Sequence, residues 1–186
     1  MPAPHRIAVL VGSLRKASLN RKVAVSMQAL APPSLQMEFV EIGDLPNYNE
    51  DLEAEAPAPW ARFREAVRPV DGVLFFTPEY NRSVPGVLKN AIDVGSRPYG
   101  KSVWSKKPAA IISVSPGAIG GMGANFALRQ SMVFLDMPLM QQPEAYIGGA
   151  GKLFDDSGQL VSDDTRKFFT NVMTSYAAWV ARLVDA

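Results

Sequence analysis

Short runs that are apolar nearly throughout, rather than at alternate positions, recur along this chain: IAVLV at 7–11, VLFFT at 73–77 and AAIISV at 109–114. Continuous apolarity over so few residues marks strands covered on both faces, the usual condition in a parallel sheet. Weaker strand candidates lie at 36–42 and 139–141. Between the runs stand helix-length segments at 18–30, 57–67, 85–96, 124–135 and 162–184. Pro85 suits a first helical turn and Gly95 a helix end. Ser162, Asp163 and Asp164 supply a cap and an acidic first turn for the last helix. Its positions Phe168, Phe169, Val172, Met173, Tyr176, Trp179, Val180 and Leu183 recur at helical spacing and predict a core stripe. The alternation of strand and helix predicts an α/β fold, a parallel sheet with helices on both faces, in one domain over 1–186.

Two longer irregular stretches remain, 43–59 with three prolines and 143–158 with several glycines. Loops of this length inside one domain are usually functional or at an interface. No repeat, low-complexity tail or interdomain linker is visible.

Composition narrows the chemistry. The 186 residues carry a net charge of +1, which sets up no field for nucleic acid or an anionic membrane. Cysteine is absent, which excludes disulfides, thiolate catalysis and iron–sulfur ligation. The single histidine, His5, stands ahead of the first strand, so neither a histidine-rich metal site nor a Ser-His-Asp triad is expected. The acidic pairs Asp155-Asp156 and Asp163-Asp164 read as a solvated turn and a helix cap, and no metal site is expected. The Met and aromatic residues of 132–140 read as core or subunit interface. No apolar run approaches a membrane span and the first six residues carry no signal pattern, so the expectation is a cytoplasmic protein.

The candidate chemistry sits in three loops that each follow a strand. GSLRKASLN at 12–20 joins strand 1 to a helix. It offers hydroxyls from Ser13 and Ser18, the Arg15 guanidinium, and Asn20 at a plausible helix start, together suited to an anion such as phosphate. After the 73–77 strand comes TPEYNRSVPG, stiffened by Pro78 and Pro85. In a sheet of order 2-1-3-4-5 these two loops flank the switch point where ligands bind, so a planar ring would meet the backbone of Glu79, Tyr80 and Asn81. The loop SPGAIGGMG at 115–123 follows the next strand, and its glycines permit close approach of backbone to ligand, with the N–H groups over 117–120 as candidate donors. A Walker ending GK[ST], a GxGxxG turn and an acidic cluster at the strand ends are all missing from these loops.

The stretches GSLRKASLNRKVA (12–24), TPEYNRSVPGVLKNAID (77–93), GAIGG (117–121) and LRQSMVFLDMPLMQQPE (128–144) resemble the NADPH-dependent FMN reductase family, in its bacterial quinone, chromate and azo-dye reductase branch. The resemblance covers nearly the whole chain, and GSLR together with PEYN at this separation is specific. It implies a flavodoxin-like three-layer sandwich with a five-stranded parallel sheet of order 2-1-3-4-5, binding one FMN. By the same resemblance Ser13, Arg15, Ser18, Leu19 and Asn20 hold the 5′-phosphate, Pro78, Glu79, Tyr80 and Asn81 line the isoalloxazine ring, and Ser115 and Gly117 complete the pocket. It further implies NADPH or NADH as co-substrate, a small-molecule electron acceptor, and a homodimer or homotetramer with Arg82 or a partner's loop near the flavin.

The cofactor carries the redox step, so no catalytic side chain is expected. A non-enzymatic electron carrier of the same fold is the alternative, although such carriers are usually strongly acidic and this chain is not. Two departures stand out. Gly123 and Phe126 occupy positions where relatives often have arginine and tyrosine, which predicts a rewired subunit contact and leaves dimer or tetramer open. Val94 and Gly95 follow Asp93 where a bulky aromatic is common, which predicts looser packing nearby.

Overall fold

The computed structural model describes residues 3–185, so the reading of the opening hexapeptide rests on sequence alone for Met1 and Pro2. In chain order the elements are β1 (His5–Val11), α1 (Leu19–Ala29), β2 (Leu35–Phe39), α2 (Ala58–Val67), β3 (Gly72–Thr77), α3 (Gly86–Gly95), β4 (Ala109–Val114), α4 (Met122–Phe134), β5 (Ala145–Ile147) and α5 (Asp163–Val184). The five strands form one parallel sheet of order β2-β1-β3-β4-β5.

Two apolar layers sandwich that sheet. Ile7, Val9, Leu74, Phe76 and Ile112 face α1 and α5. Ala8, Leu10, Val73, Phe75 and Ile111 face α2, α3 and α4. Each central strand thus buries alternate residues in opposite layers, which is why its sequence is apolar throughout. Along α5, Phe169, Val172, Met173, Tyr176 and Val180 are fully buried, Phe168 and Trp179 pack at the edge, and Leu183 is largely exposed. Ser162 caps this helix by accepting the Thr165 N–H at 3.3 Å.

Two strand expectations are corrected. The last strand lies at Ala145–Ile147 rather than 139–141; Leu139 makes only a single bridge to Ala109. The Pro138 carbonyl and the Met140 N–H both bond Ala109, at 3.0 and 2.8 Å, so the run meets β4 at its first residue only. β2 ends at Phe39, and Ile42 leaves the sheet to join the layer under α2 and α3.

The expectation of loose packing after Asp93 also fails. Val94 is fully buried, and the Trp104 indole lies where a Cβ on Gly95 would stand, 2.5 Å away. The aromatic is supplied by a later segment of chain.

Candidate active site

β1, β3 and β4 are neighbours in the sheet, so their carboxyl ends bring the three loops to one edge. The first loop leaves at Gly12, whose N–H donates to the Phe76 carbonyl at 2.8 Å and whose missing Cβ leaves room for Pro85 and Leu88. Ser18 then caps α1 by accepting the Arg21 N–H at 3.1 Å. That leaves the N–H groups of Leu19 and Asn20, the first of the helix, to be satisfied from outside it. Arg15 is exposed and forms no ion pair among the described residues. Arg21, by contrast, is held by Glu41 at 2.9 Å and lies over the Phe39 ring.

The second loop turns sharply. Tyr80 and Ser83 exchange backbone hydrogen bonds of 3.1 and 3.0 Å, with Asn81 and Arg82 both left-handed, at φ of 51° and 63°. This is a two-residue hairpin turn; Asn tolerates the geometry, whereas Arg82 adopts it at a cost. Tyr80 is left half-exposed at the rim.

The third loop corrects the reading of its 117–120 N–H groups as free donors at the two glycines that end this range. Gly117 N–H donates to Ser115 Oγ at 3.0 Å, and Gly120 N–H to the Gly117 carbonyl at 3.3 Å. Gly120 serves close backbone packing, since a Cβ on it would stand 2.5 Å from the Tyr146 carbonyl carbon, and Gly148, just after β5, does the same from the other side, its Cβ 2.3 Å from the Ala118 oxygen.

Between the loops lies a cleft of about 290 Å³ lined by Ser13, Arg15, Leu19, Asn20, Pro78, Glu79, Tyr80 and Ser115, all anticipated from sequence. Val114 and Pro116 also line it and were not anticipated, because Val114 reads as core strand and Pro116 as a strand terminator. Ser18 lies instead on an adjoining groove of about 210 Å³, which shares Ser13 and Arg15 and adds Lys16 and Glu41. Asn81 and Gly117 line neither.

Asn20 is 3% exposed; its Nδ2 donates weakly to the Val114 carbonyl at 3.5 Å and its buried Oδ1 has no partner. An acceptor orphaned in this way, beside an open helix N-terminus and an unpaired guanidinium, suits a ligand carrying both an anion and hydroxyl donors. Those are the two features of the ribityl phosphate of FMN. Beside the third loop, Phe126 stacks on Tyr146 with ring centres 6.3 Å apart. Burial, followed by the Glu144 carboxylate, pushes the Tyr146 hydroxyl up to about 12. No cluster suited to a metal ion occurs among the described residues.

Sheet order and cleft together define a protein of the flavodoxin-like class. The chain belongs to the NADPH-dependent FMN reductase family, whose model matches residues 5–152. A quinone reductase of Pseudomonas putida is 66% identical over 97% of both chains. A 2-hydroxy-1,4-benzoquinone reductase of Burkholderia sp. is 49% identical over 94% of this chain and 96% of its own. Among solved structures, the flavoenzyme NAD(P)H:(acceptor) oxidoreductase FerB of Paracoccus denitrificans superposes with a TM-score of 0.91 at 41% identity, covering 96% of this chain and 98% of that one.

Proposed function

We propose that this protein is an FMN-dependent NAD(P)H oxidoreductase, a single domain that passes reducing equivalents from NADPH or NADH to quinones by a ping-pong cycle. One observation carries the reading: the cleft in which the Arg15 guanidinium and the open start of α1 face the proline-stiffened Tyr80 turn. FMN held there by these residues would supply the two-electron redox chemistry between nicotinamide and quinone. The protein's part is to hold and orient. Arg15, Ser13, Leu19 and Asn20, with Ser18 from the adjoining groove, grip the phosphate end, Pro78, Glu79 and Tyr80 border the ring, and Ser115 closes the far side; Asn81 and Gly117, which line neither cavity, are left outside the site. No side chain is asked to act as nucleophile or base: cysteine is absent, and His5 opens β1 at the opposite edge of the sheet, within 3.4 Å of Asp185. The names of the relatives favour quinones over azo compounds, chromate, nitroaromatics or free flavin as acceptor. The test is spectroscopic. FMN-loaded protein bleaches under NADPH or NADH without acceptor, regains its colour on adding benzoquinone, and gives parallel double-reciprocal lines; a flavin that stays oxidised until both substrates are present rejects the cycle.

The reading extends to a homodimer formed through α4. Met122, Phe126 and Val133 lie on one exposed face of that helix, Val133 at 79% exposure. Phe134, 83% exposed, stands at the mouth of a groove of about 400 Å³ between α3 and α4. Apolar surface on this scale on one helix is characteristic of a contact between copies. Val133→Asp with Phe134→Asp is expected to convert a dimer to monomer in light scattering; an unchanged mass moves the interface elsewhere. No helix among the described residues is long and apolar enough to cross a membrane. A cytoplasmic site of action is proposed on the ground that NAD(P)H must reach the cleft.

A further inference from the structure

Glu79 belongs to the turn that borders the cleft, yet its carboxylate is committed to protein groups. One oxygen accepts the Ala124 N–H at 3.2 Å in the first turn of α4, and the other pairs with the Arg82 guanidinium. The Glu79 side chain is 11% exposed, against 76% for Arg82. The N-cap of α4 is Gly121, which has no side chain to cap with. A carboxylate from elsewhere in the chain therefore supplies the missing acceptor and meets the positive end of the helix dipole.

Gly123 makes room for it. A Cβ there would lie 2.9 Å from the Glu79 carboxylate oxygen and 3.1 Å from the Arg82 backbone oxygen. Glycine inside a helix is less stable than alanine, so helix propensity yields here to a contact. The Tyr80 turn has need of such an anchor, because it holds Arg82 in a left-handed conformation that L side chains disfavour.

We propose that Glu79 is a positioning residue which, seated over Gly123, latches the Tyr80 turn onto the N-terminus of α4 and so fixes one wall of the cofactor cleft. The inference rests on the reading of that cleft as the FMN site. It gives the carboxylate a task other than contact with the ring, and it accounts for a glycine in the first turn of α4.

The test is a cycle of wild type, Glu79→Ala, Gly123→Ala and the double variant, reading the melting temperature of the apoprotein, FMN affinity by fluorescence, and the visible circular dichroism of bound flavin. Gly123→Ala crowds the carboxylate and forces it to shift from the Ala124 N–H, and is expected to weaken FMN binding on the order of tenfold with a changed flavin dichroism. With Glu79→Ala already present, the same alanine meets only the Arg82 backbone oxygen at 3.1 Å, so it is expected to lower the melting temperature less than it does in wild type and to leave FMN affinity unchanged. Glu79→Gln, whose amide oxygen can still accept from Ala124, restores affinity and dichroism toward wild type. The latch is overturned if Gly123→Ala acts equally in both backgrounds, or if Glu79→Ala lowers the melting temperature but binds FMN with unchanged affinity and dichroism. Should Glu79→Ala not fold, Gly123→Ala and Glu79→Gln still decide: FMN affinity unaltered in Gly123→Ala overturns the proposal. A wild-type protein that takes up no FMN sinks the functional reading and the positioning role together, an outcome distinct from wild type and variants binding FMN alike.

Discussion

Arg15→Ala will weaken FMN binding by about one to two orders of magnitude and leave riboflavin binding unchanged. A hydrogen bond to a charged group contributes roughly 1.5–3 kcal/mol, and each 1.4 kcal/mol is about tenfold. Arg15 has no carboxylate partner among the described residues, so its whole charge is available to an anion in the cleft. The neighbouring arginine cannot replace it, because Arg21 is already paired with Glu41 and packed on Phe39. The start of α1 and the Ser13 hydroxyl remain in the variant, which is why binding is weakened rather than abolished. Arg15→Lys should recover part of the loss, since an ammonium keeps the charge but not the planar fork that engages two phosphate oxygens. Riboflavin, which lacks the phosphate, separates a lost contact from a loosened pocket. Equal losses for both flavins would place Arg15 away from the phosphate.

What the sequence discloses, and what it hides, follows from the range of the interactions involved. β3 and β4 are legible because both their faces are buried, so burial is written directly into consecutive residues. β5 is not, because three residues hold no period, and their neighbours in the sheet are chosen by β4. The stretch 43–59 reads as loop, yet it contains a 3₁₀ turn at Glu50–Glu55 and is pinned by Asn90 of α3. Asn90 accepts the Tyr48 N–H at 2.8 Å and donates to the carbonyls of Leu45 and Pro46. Nothing near Asn90 in sequence announces that role.

The cleft divides in the same way. Ser13, Arg15 and Tyr80 are found because a loop after a parallel strand must emerge at the ligand-binding edge. The fate of Glu79 depends on α4 arriving from 45 residues along the chain, whereas the Gly117 and Gly120 N–H groups are taken up by loop conformation, through Ser115 and Gly117, which composition alone does not specify. Local pattern places a residue at the site; only tertiary packing decides which of its atoms remain free.

Trp104→Ala will cost about 3–5 kcal/mol of stability, a large part of the 5–15 kcal/mol typical of a domain. Trp104 is completely buried, its ring centre 5.9 Å from those of both Phe63 and Phe75. Its indole N–H donates to the Ile92 carbonyl at 2.9 Å, and that oxygen also accepts the Ser96 N–H, so truncation leaves a cavity but no orphaned carbonyl. The loss is therefore chiefly one of packing. Trp104→Phe keeps most of the ring and should cost less, nearer the roughly 0.5–1.5 kcal/mol of a hydrogen bond plus the missing volume. The contact with Gly95 predicts a reversal of sign. In wild type a Cβ at 95 would press on the indole, so Gly95→Ala destabilises; in the Trp104→Ala protein it has room and brings better helix propensity, so it stabilises. Urea unfolding of the four apoproteins measures both effects, and a Gly95→Ala penalty that persists without the indole would mean that something other than Trp104 enforces the glycine. Trp104 packs at the end of α3 remote from the Tyr80 turn, so the folded fraction of Trp104→Ala should still bind FMN, which separates the support of the scaffold from the grip of the cleft.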